Sequence, residues 1–278
     1  MIVDGKKIAE NILKELKVKI EKLGCSPKLA VIMAGDDPVS LRFLSMKKKE
    51  AKKIGVDVTV HRFRERVTTE ELIDLINSLE ETSIIVQLPL PENIETTKVL
   101  DSVPEKEDVD VLATRSNISY IEEELTIYPP VTGAIIEILN EYDITIKGKK
   151  VALIGKGQLV GKPTKVWLKH VGADLYEIDS YTDKKDAEIF TQNADIIISG
   201  AGKPGLIKPS MIKERVIILD AGTSESNGHI AGDADPTCAE KASVFTPVPG
   251  GIGPITVAVL LRNVVDYSIE RAKLKALL

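Results

Sequence analysis

At 278 residues, the chain is long enough for about two domains. A net charge of −5 from 37 basic and 42 acidic residues argues against nucleic-acid binding through bulk electrostatics, and 43% apolar with 28% charged residues excludes a disordered chain. Two cysteines (Cys25, Cys238), three scattered histidines (His61, His170, His229) and no long apolar run or leader-like start lead us to expect a cytoplasmic protein without disulfides, bound metal or membrane partner.

Residues 6–23 place Ile8, Ile12, Leu13, Leu16 and Ile20 on one helical stripe, and the run 29–34 reads as a buried strand. Asp37-Pro38 then opens a helix over residues 38–54, with aspartate as cap and proline in the first turn. Ser40, Phe43 and Lys47 share one face of it. The lysines at 47, 48, 49, 52 and 53 read as a solvated charge run, from which periodicity alone does not separate Lys47. A strand at 56–60 follows. Thr68 and Glu71 stand in capping-box spacing ahead of Leu72, Ile73, Leu75, Ile76 and Leu79.

The short strand 84–86 runs into Gln87-Leu-Pro-Leu-Pro91, which puts an amide at the carboxyl end of a strand, where α/β proteins place ligands. As a rigid connector with a surface glutamine, the same loop has no such role. Residues 114–125 are polar and turn-like, and composition shifts at Pro129-Pro130, where we place a domain boundary. A helix at 133–142 leads to the strand 151–154 and then to Gly155-Lys-Gly157-Gln-Leu-Val-Gly161-Lys-Pro163, followed by a helix at 164–170. Strand, glycines and helix are the context of a dinucleotide-binding turn, although the spacing is G-x-G-x-x-x-G and a tight βα turn reads the same way. The next strand, 174–178, ends in Asp179-Ser180. An acid there suits the ribose hydroxyl of NAD, whereas Lys156 and Ser180 suit the 2′-phosphate of NADP. Further strands fall at 196–198 and 216–219. Residues 246–256, TPVPGGIGPIT, form a stiff proline- and glycine-rich loop, and a long apolar helix covers 256–278.

Strands alternating with helices predict an α/β protein of two domains. Residues 1–130 with 256–278 form the first, and residues 131–255 form a Rossmann-like dinucleotide-binding domain.

Taken together, these segments resemble the bifunctional methylenetetrahydrofolate dehydrogenase/methenyltetrahydrofolate cyclohydrolase family along the whole chain. Gly35-Asp-Asp-Pro-x-Ser40 with Lys47 resembles its G-D-x-P-x-S-x-x-Y-x-x-x-K helix, and Val86–Pro91 its V-Q-L-P-L-P. Lys106–Asp110 resembles P-x-K-D-V-D-G, and Gly155–Pro163 resembles G-R-S-x-x-V-G-x-P. Gly202-Lys-Pro204, Gly232-Asp233 and the loop 246–256 match later blocks.

The resemblance implies a homodimer of two-domain subunits, with folate in a cleft between the domains. It implies oxidation of 5,10-methylenetetrahydrofolate with NADP (NAD remaining open), then hydrolysis of the methenyl product to 10-formyltetrahydrofolate. By resemblance Lys47 is the key catalytic residue, Gln87 its hydrogen-bonded partner and Asp110 the carboxylate that grips the pterin. Ser40, Phe43, Pro249, Gly250, Gly251 and Pro254 are implied to touch substrate. Gly155, Lys156, Gly157, Asp179, Ser180 and Thr223 are implied to bind the nucleotide.

The chain departs from the family at several places. Phe43 replaces a tyrosine, Val111 a glycine, Lys156 and Gly157 an arginine and a serine, and Asp179 a histidine. Pro130-Val-Thr132 stands where C-T-P is usual. Three other readings stay open: a dehydrogenase with weak or absent cyclohydrolase activity, another two-domain Rossmann dehydrogenase of shikimate-dehydrogenase type, and a folate- or nucleotide-binding protein without catalysis. The second leaves Q-L-P-L-P and the loop 246–256 unexplained.

Overall fold

The structure, a computed structural model, describes residues 1–24, 26–80, 82–226 and 229–276, so Cys25 lies outside the described residues. The chain divides into two compact units, Glu10–Pro130 with Val257–Leu278, and Met1–Ala9 with Val131–Thr256.

In the first unit, helix α1 (Gly5–Leu23) leads to β1 (Lys28–Ala34), α2 (Pro38–Ile54), β2 (Asp57–Phe63), α3 (Thr69–Ser78), β3 (Ser83–Val86), α4 (Thr96–Asp101) and α5 (Thr114–Ile121). Its sheet is parallel, in the order β2-β1-β3. The central β1 is buried along nearly its whole length, while the edge strand β2 is only partly covered. Ile32, Leu72, Ile76, Ile84 and Val99 pack one core of this unit. Both helix starts expected from capping chemistry are made. Asp37 accepts from the Ser40 N–H at 2.7 Å, and Thr68 and Glu71 form a reciprocal capping box. Gly55 closes α2 in the left-handed conformation at φ 85°, as its position after the last turn favours.

The second unit contains α6 (Pro130–Glu141), β4 (Lys150–Ile154), α7 (Gly161–His170), β5 (Asp174–Ile178), α8 (Lys184–Asn193), β6 (Ile196–Ser199), β7 (Ile217–Asp220), the short pair β8 (Ser224–Ser226) and β9 (His229–Ala231), and β10 (Val244–Phe245). Its five-stranded parallel sheet has the order β10-β7-β6-β4-β5. The order reverses at β4, so the crevice beyond the carboxyl ends of β4 and β6 is the topological switch point. The last helix, α9 (Ile252–Ala276), is long and apolar enough to cross a membrane by length and composition. Its apolar residues Val257, Leu260, Leu261, Val264 and Val265 are nonetheless buried within the protein.

Several expected boundaries move. Residues 1–9, expected with the first domain, group with the second unit because the Val3 N–H donates to the Phe245 carbonyl and the Phe245 N–H to the Met1 carbonyl around the Ile2–Phe245 bridge, and the Met1 ammonium donates to the Ser243 carbonyl. The stretch read as turn-like contains α5, whose Ser116, Ser119 and Tyr120 bury one side. Its polar composition hid an amphipathic helix. Helices α6, α7 and α9 each begin three or four residues before the expected start, because proline and glycine are tolerated in a first turn whose N–H groups have no helical partner. Strand β2 runs past residue 60 to Phe63 because it pairs with the full length of β1.

Candidate active site

Lys47 lies on the buried side of α2 with Ser40, Leu44, Ala51 and Ile54, and only 8% of it is exposed. Its ammonium donates to Gln87 Oε1 at 3.0 Å. Gln87 is delivered by β3, whose carboxyl end lies beside that of β1, and its N–H donates to the Ile32 carbonyl. The Gln87 amide also donates to the Leu88 carbonyl, and the Ser40 hydroxyl donates to the same oxygen at 3.0 Å. Helix α2 and the Gln87-Leu-Pro loop are thus stitched together at the lysine. Phe43, half-buried, points from the same helix.

Burial lowers the Lys47 pKa, because an ammonium taken from water loses hydration, and the nearby Asp110 charge opposes that shift in part. For Asp110 burial acts in the opposite sense and raises the pKa, with Lys47 pulling it back. The packing of α2 by itself thus depresses this lysine.

Asp110 is placed by a neighbour that sequence reasoning left without a role. Asp108, 4% exposed, accepts from the Leu112 and Ala113 N–H groups at 2.9 Å each, fixing the turn ahead of α5. Within that turn Val111 has φ 57°, a left-handed conformation that explains the family's glycine and is costly for a β-branched residue. Asn263 of α9 secures the same segment by donating to the Val109 and Tyr128 carbonyls at 2.9 Å each.

In the other unit the glycine loop closes on itself as a nucleotide turn requires. Gly155 has φ 98°, and a Cβ there would lie 2.8 Å from the Gly200 carbonyl, across the switch-point crevice. A Cβ on Gly161 would strike the Gly155 carbonyl, so helix α7 packs against its own entering strand. At Gly157 only the Gly200 carbonyl, at 3.9 Å, lies near a Cβ position, leaving that backbone open. No side chain caps α7 at Val160. An open backbone cradle at an uncapped helix start is the chemistry a pyrophosphate needs, so these residues fit a dinucleotide. Lys156 is paired with Asp179 at 2.5 Å, while Ser180 and Thr223 are exposed. Thr132 is fully buried and hydrogen-bonded to Thr164 at 3.2 Å, which removes it from the loop surface.

The substrate-contact candidates Pro249, Gly250, Gly251 and Pro254 belong to this second unit. Gly251 donates to the Pro247 carbonyl at 2.7 Å, Gly250 accepts from the Gly5 N–H at 3.1 Å, and Pro254 lies in the first turn of α9.

Two further carboxylates were given no role by the sequence. Asp233 accepts from the Ser199 hydroxyl at 2.6 Å and from the Ala201 and Lys203 N–H groups at 2.7 Å each. Asp220 accepts from the Gly222 and Ala234 N–H groups at 2.9 and 2.8 Å. Together they hold the loops beyond β6 and β7. Gly232-Asp233 was legible as a family block, but burial of its acid was not.

Burial pushes the carboxyls of Asp108 and Asp220 up to about 6. A carboxyl raised in the fold stabilises it fully below its unfolded pKa of about 4, and this is lost as pH rises through the folded value. Lowering the pH from 7.5 to 5 is therefore expected to raise the unfolding temperature through these groups. Calorimetry on Asp220→Asn should show a flatter pH dependence than the parent. An unchanged slope would refute the assignment.

Models of two domains of one family match this chain. The tetrahydrofolate dehydrogenase/cyclohydrolase catalytic domain matches residues 3–110, and the NAD(P)-binding domain of the same family matches residues 129–272. A bifunctional protein FolD from Nautilia profundicola is 40% identical over 282 aligned positions, covering 98% of each chain. The crystal structure of bifunctional FolD from Campylobacter jejuni superposes with a TM-score of 0.92 at 34% identity, covering 98% of this chain and 99% of that one. The Trypanosoma brucei FolD structure, complexed with NADP and an inhibitor, gives a TM-score of 0.92 at 30% identity, covering 98% of both chains.

Proposed function

The chain belongs to the tetrahydrofolate dehydrogenase/cyclohydrolase family, and from that membership we propose how its own residues divide the work. It is a methylenetetrahydrofolate dehydrogenase and methenyltetrahydrofolate cyclohydrolase of one-carbon folate metabolism. The observation that carries the assignment of roles is the buried Lys47 ammonium bonded to Gln87, with its pKa depressed by burial.

In the oxidation, a C–H bond of the one-carbon bridge breaks and its hydride leaves, producing the methenyl cation. The nicotinamide, when bound, supplies the carbon that accepts that hydride. Lys47 in its neutral form disfavours the cation less than an ammonium would. In the hydrolysis, water adds to the cationic carbon and gives its proton to Lys47 Nζ. One ring C–N bond then breaks as the added hydroxyl gives up its proton to become the formyl carbonyl, and the released nitrogen takes up a proton to leave the 10-formyl product. Gln87 fixes the direction of the Nζ lone pair, Asp110 accepts from the donor edge of the pterin, Phe43 shapes the surface of α2 beside it, and Ser40 anchors the Leu88 carbonyl next to Gln87. An assay following NADPH formation from methylenetetrahydrofolate, then loss of methenyltetrahydrofolate, tests the pair of steps. No reduction of either nucleotide would refute the reading.

NADP is the proposed hydride acceptor, supported by the ammonium of Lys156 in the glycine loop. The protein is proposed to act as a cytoplasmic homodimer without nucleic-acid or membrane partners. Its net charge of −5 and the burial of α9 support the latter two, and the formyl product suits purine biosynthesis.

Phe43 lacks the hydroxyl of the family tyrosine. Phe43→Tyr is expected to raise the cyclohydrolase rate about fivefold, the worth of one net hydrogen bond of about 1 kcal/mol. An unchanged or lower rate would show that the hydroxyl has no part in orienting Lys47 or water.

A further inference from the structure

The family resemblance and the ribose chemistry of Rossmann folds pull Asp179 and Lys156 in opposite directions, and the structure brings the two into contact. Strands β4 and β5 are parallel neighbours, with Ile154 in register with Ile178. Lys156 follows the end of one and Asp179 the end of the other, and Lys156 Nζ lies 2.5 Å from Asp179 Oδ2. The carboxylate is fixed from its other side. Its Oδ1 accepts from the Tyr181 N–H at 2.9 Å, the Thr182 N–H at 3.0 Å and the Thr182 hydroxyl at 3.1 Å. One turn into α7, Lys165 is likewise paired, with Glu177 at 2.8 Å. Each of these two ammonium groups therefore already faces a carboxylate.

We propose that Asp179 sets nucleotide choice in this chain, by holding Lys156 in an internal ion pair and offering its oxygens to an unphosphorylated ribose, so that NAD and NADP bind with comparable strength. The inference rests on the reading that Lys156 faces the 2′-phosphate. A 2′-phosphate must draw the ammonium away from Asp179 and then stand beside that carboxylate. Like charges at such range repel even in a partly aqueous setting. A 2′-hydroxyl meets no such penalty and donates to the same carboxylate. The shifts agree with the geometry. The Lys156 bond, with the Tyr181 N–H, holds the Asp179 carboxyl down at about 2, and Asp179 raises Lys156.

Calorimetric titration of the protein with NAD and with NADP, separately, tests this. The parent is expected to bind the two within about tenfold of each other, which is about 1.4 kcal/mol. Asp179→Asn keeps an amide oxygen for Tyr181 and Thr182 while removing the charge, so the turn is retained. It is expected to tighten NADP by about tenfold or more without tightening NAD. Lys156→Met should weaken NADP and leave NAD unchanged. If Asp179→Asn shifts both nucleotides equally or neither, while Lys156→Met still weakens NADP selectively, Asp179 does not set the choice and only this inference falls. If Lys156→Met fails to discriminate, the phosphate reading of Lys156 falls with it.

Discussion

Lys47→Met is expected to remove activity by about 10²–10⁴-fold in kcat while leaving the fold intact. Methionine fills nearly the same volume along α2, so the packing among Leu44, Ala51 and Ile54 is kept. The substitution relieves the cost of a buried ammonium but also takes the cation from Asp110 and the donor from Gln87, so only a modest change in unfolding temperature is expected. Lys47→Arg separates charge from basicity. It restores a cation near Asp110, but a guanidinium does not give up its proton near neutral pH, so hydrolysis of the methenyl compound should stay low. Steady-state rates for both reactions, with unfolding temperatures alongside, decide the matter. Retained turnover in Lys47→Met would remove the lysine from the mechanism, and a large fall in unfolding temperature would show that its role is structural.

The largest expected loss of stability comes from Asp233→Ala. One fully buried carboxylate satisfies a hydroxyl and two backbone N–H groups in the loop after β6, at 2.6–2.7 Å. Hydrogen bonds to a charged group contribute about 1.5–3 kcal/mol each, and the loss of Asp233 relieves part of the burden on Asp220, so about 3–5 kcal/mol is expected net. At this chain length that lowers the unfolding temperature by roughly 10 °C. Nucleotide affinity should fall with it, because Gly200 forms one wall of the crevice opposite Gly155. Asp233→Asn should be intermediate, since an amide accepts through one oxygen only. Calorimetry and NADP titration measure both effects. An unfolding temperature within about 2 °C of the parent would show that water replaces the carboxylate at little cost.

Much of the fold was legible because it rests on local patterns. The apolar runs at 29–34, 84–86, 151–154 and 196–198 became strands, since a short run of Val, Ile and Ala bounded by turn residues suits a strand covered on both faces. The caps at Asp37 and Thr68 were readable because the side chain and the N–H it accepts are only three residues apart. Helix α5 was missed for the opposite reason. It is short and polar, and its buried face includes two serines rather than the apolar stripe that periodicity detects. The N-terminal residues were misplaced because their strand-like bridge is to Phe245, far away in the chain.

The glycine loop, the family blocks and the resemblance of Lys47, Gln87 and Asp110 to a catalytic set were written in the residues themselves, since they depend on residue type and short spacing. What made Lys47 different from the four lysines beside it was decided only by the tertiary fold. Burial of one face of α2 depresses its pKa while β3 brings Gln87 to its ammonium, and desolvation is a property of the space around a group. The same holds for Asp108, Asp220 and Asp233, ordinary acids in the sequence that become buried acceptors for backbone N–H groups. Lys156 and Asp179, 23 positions apart, acquire a joint meaning only because two neighbouring parallel strands end side by side.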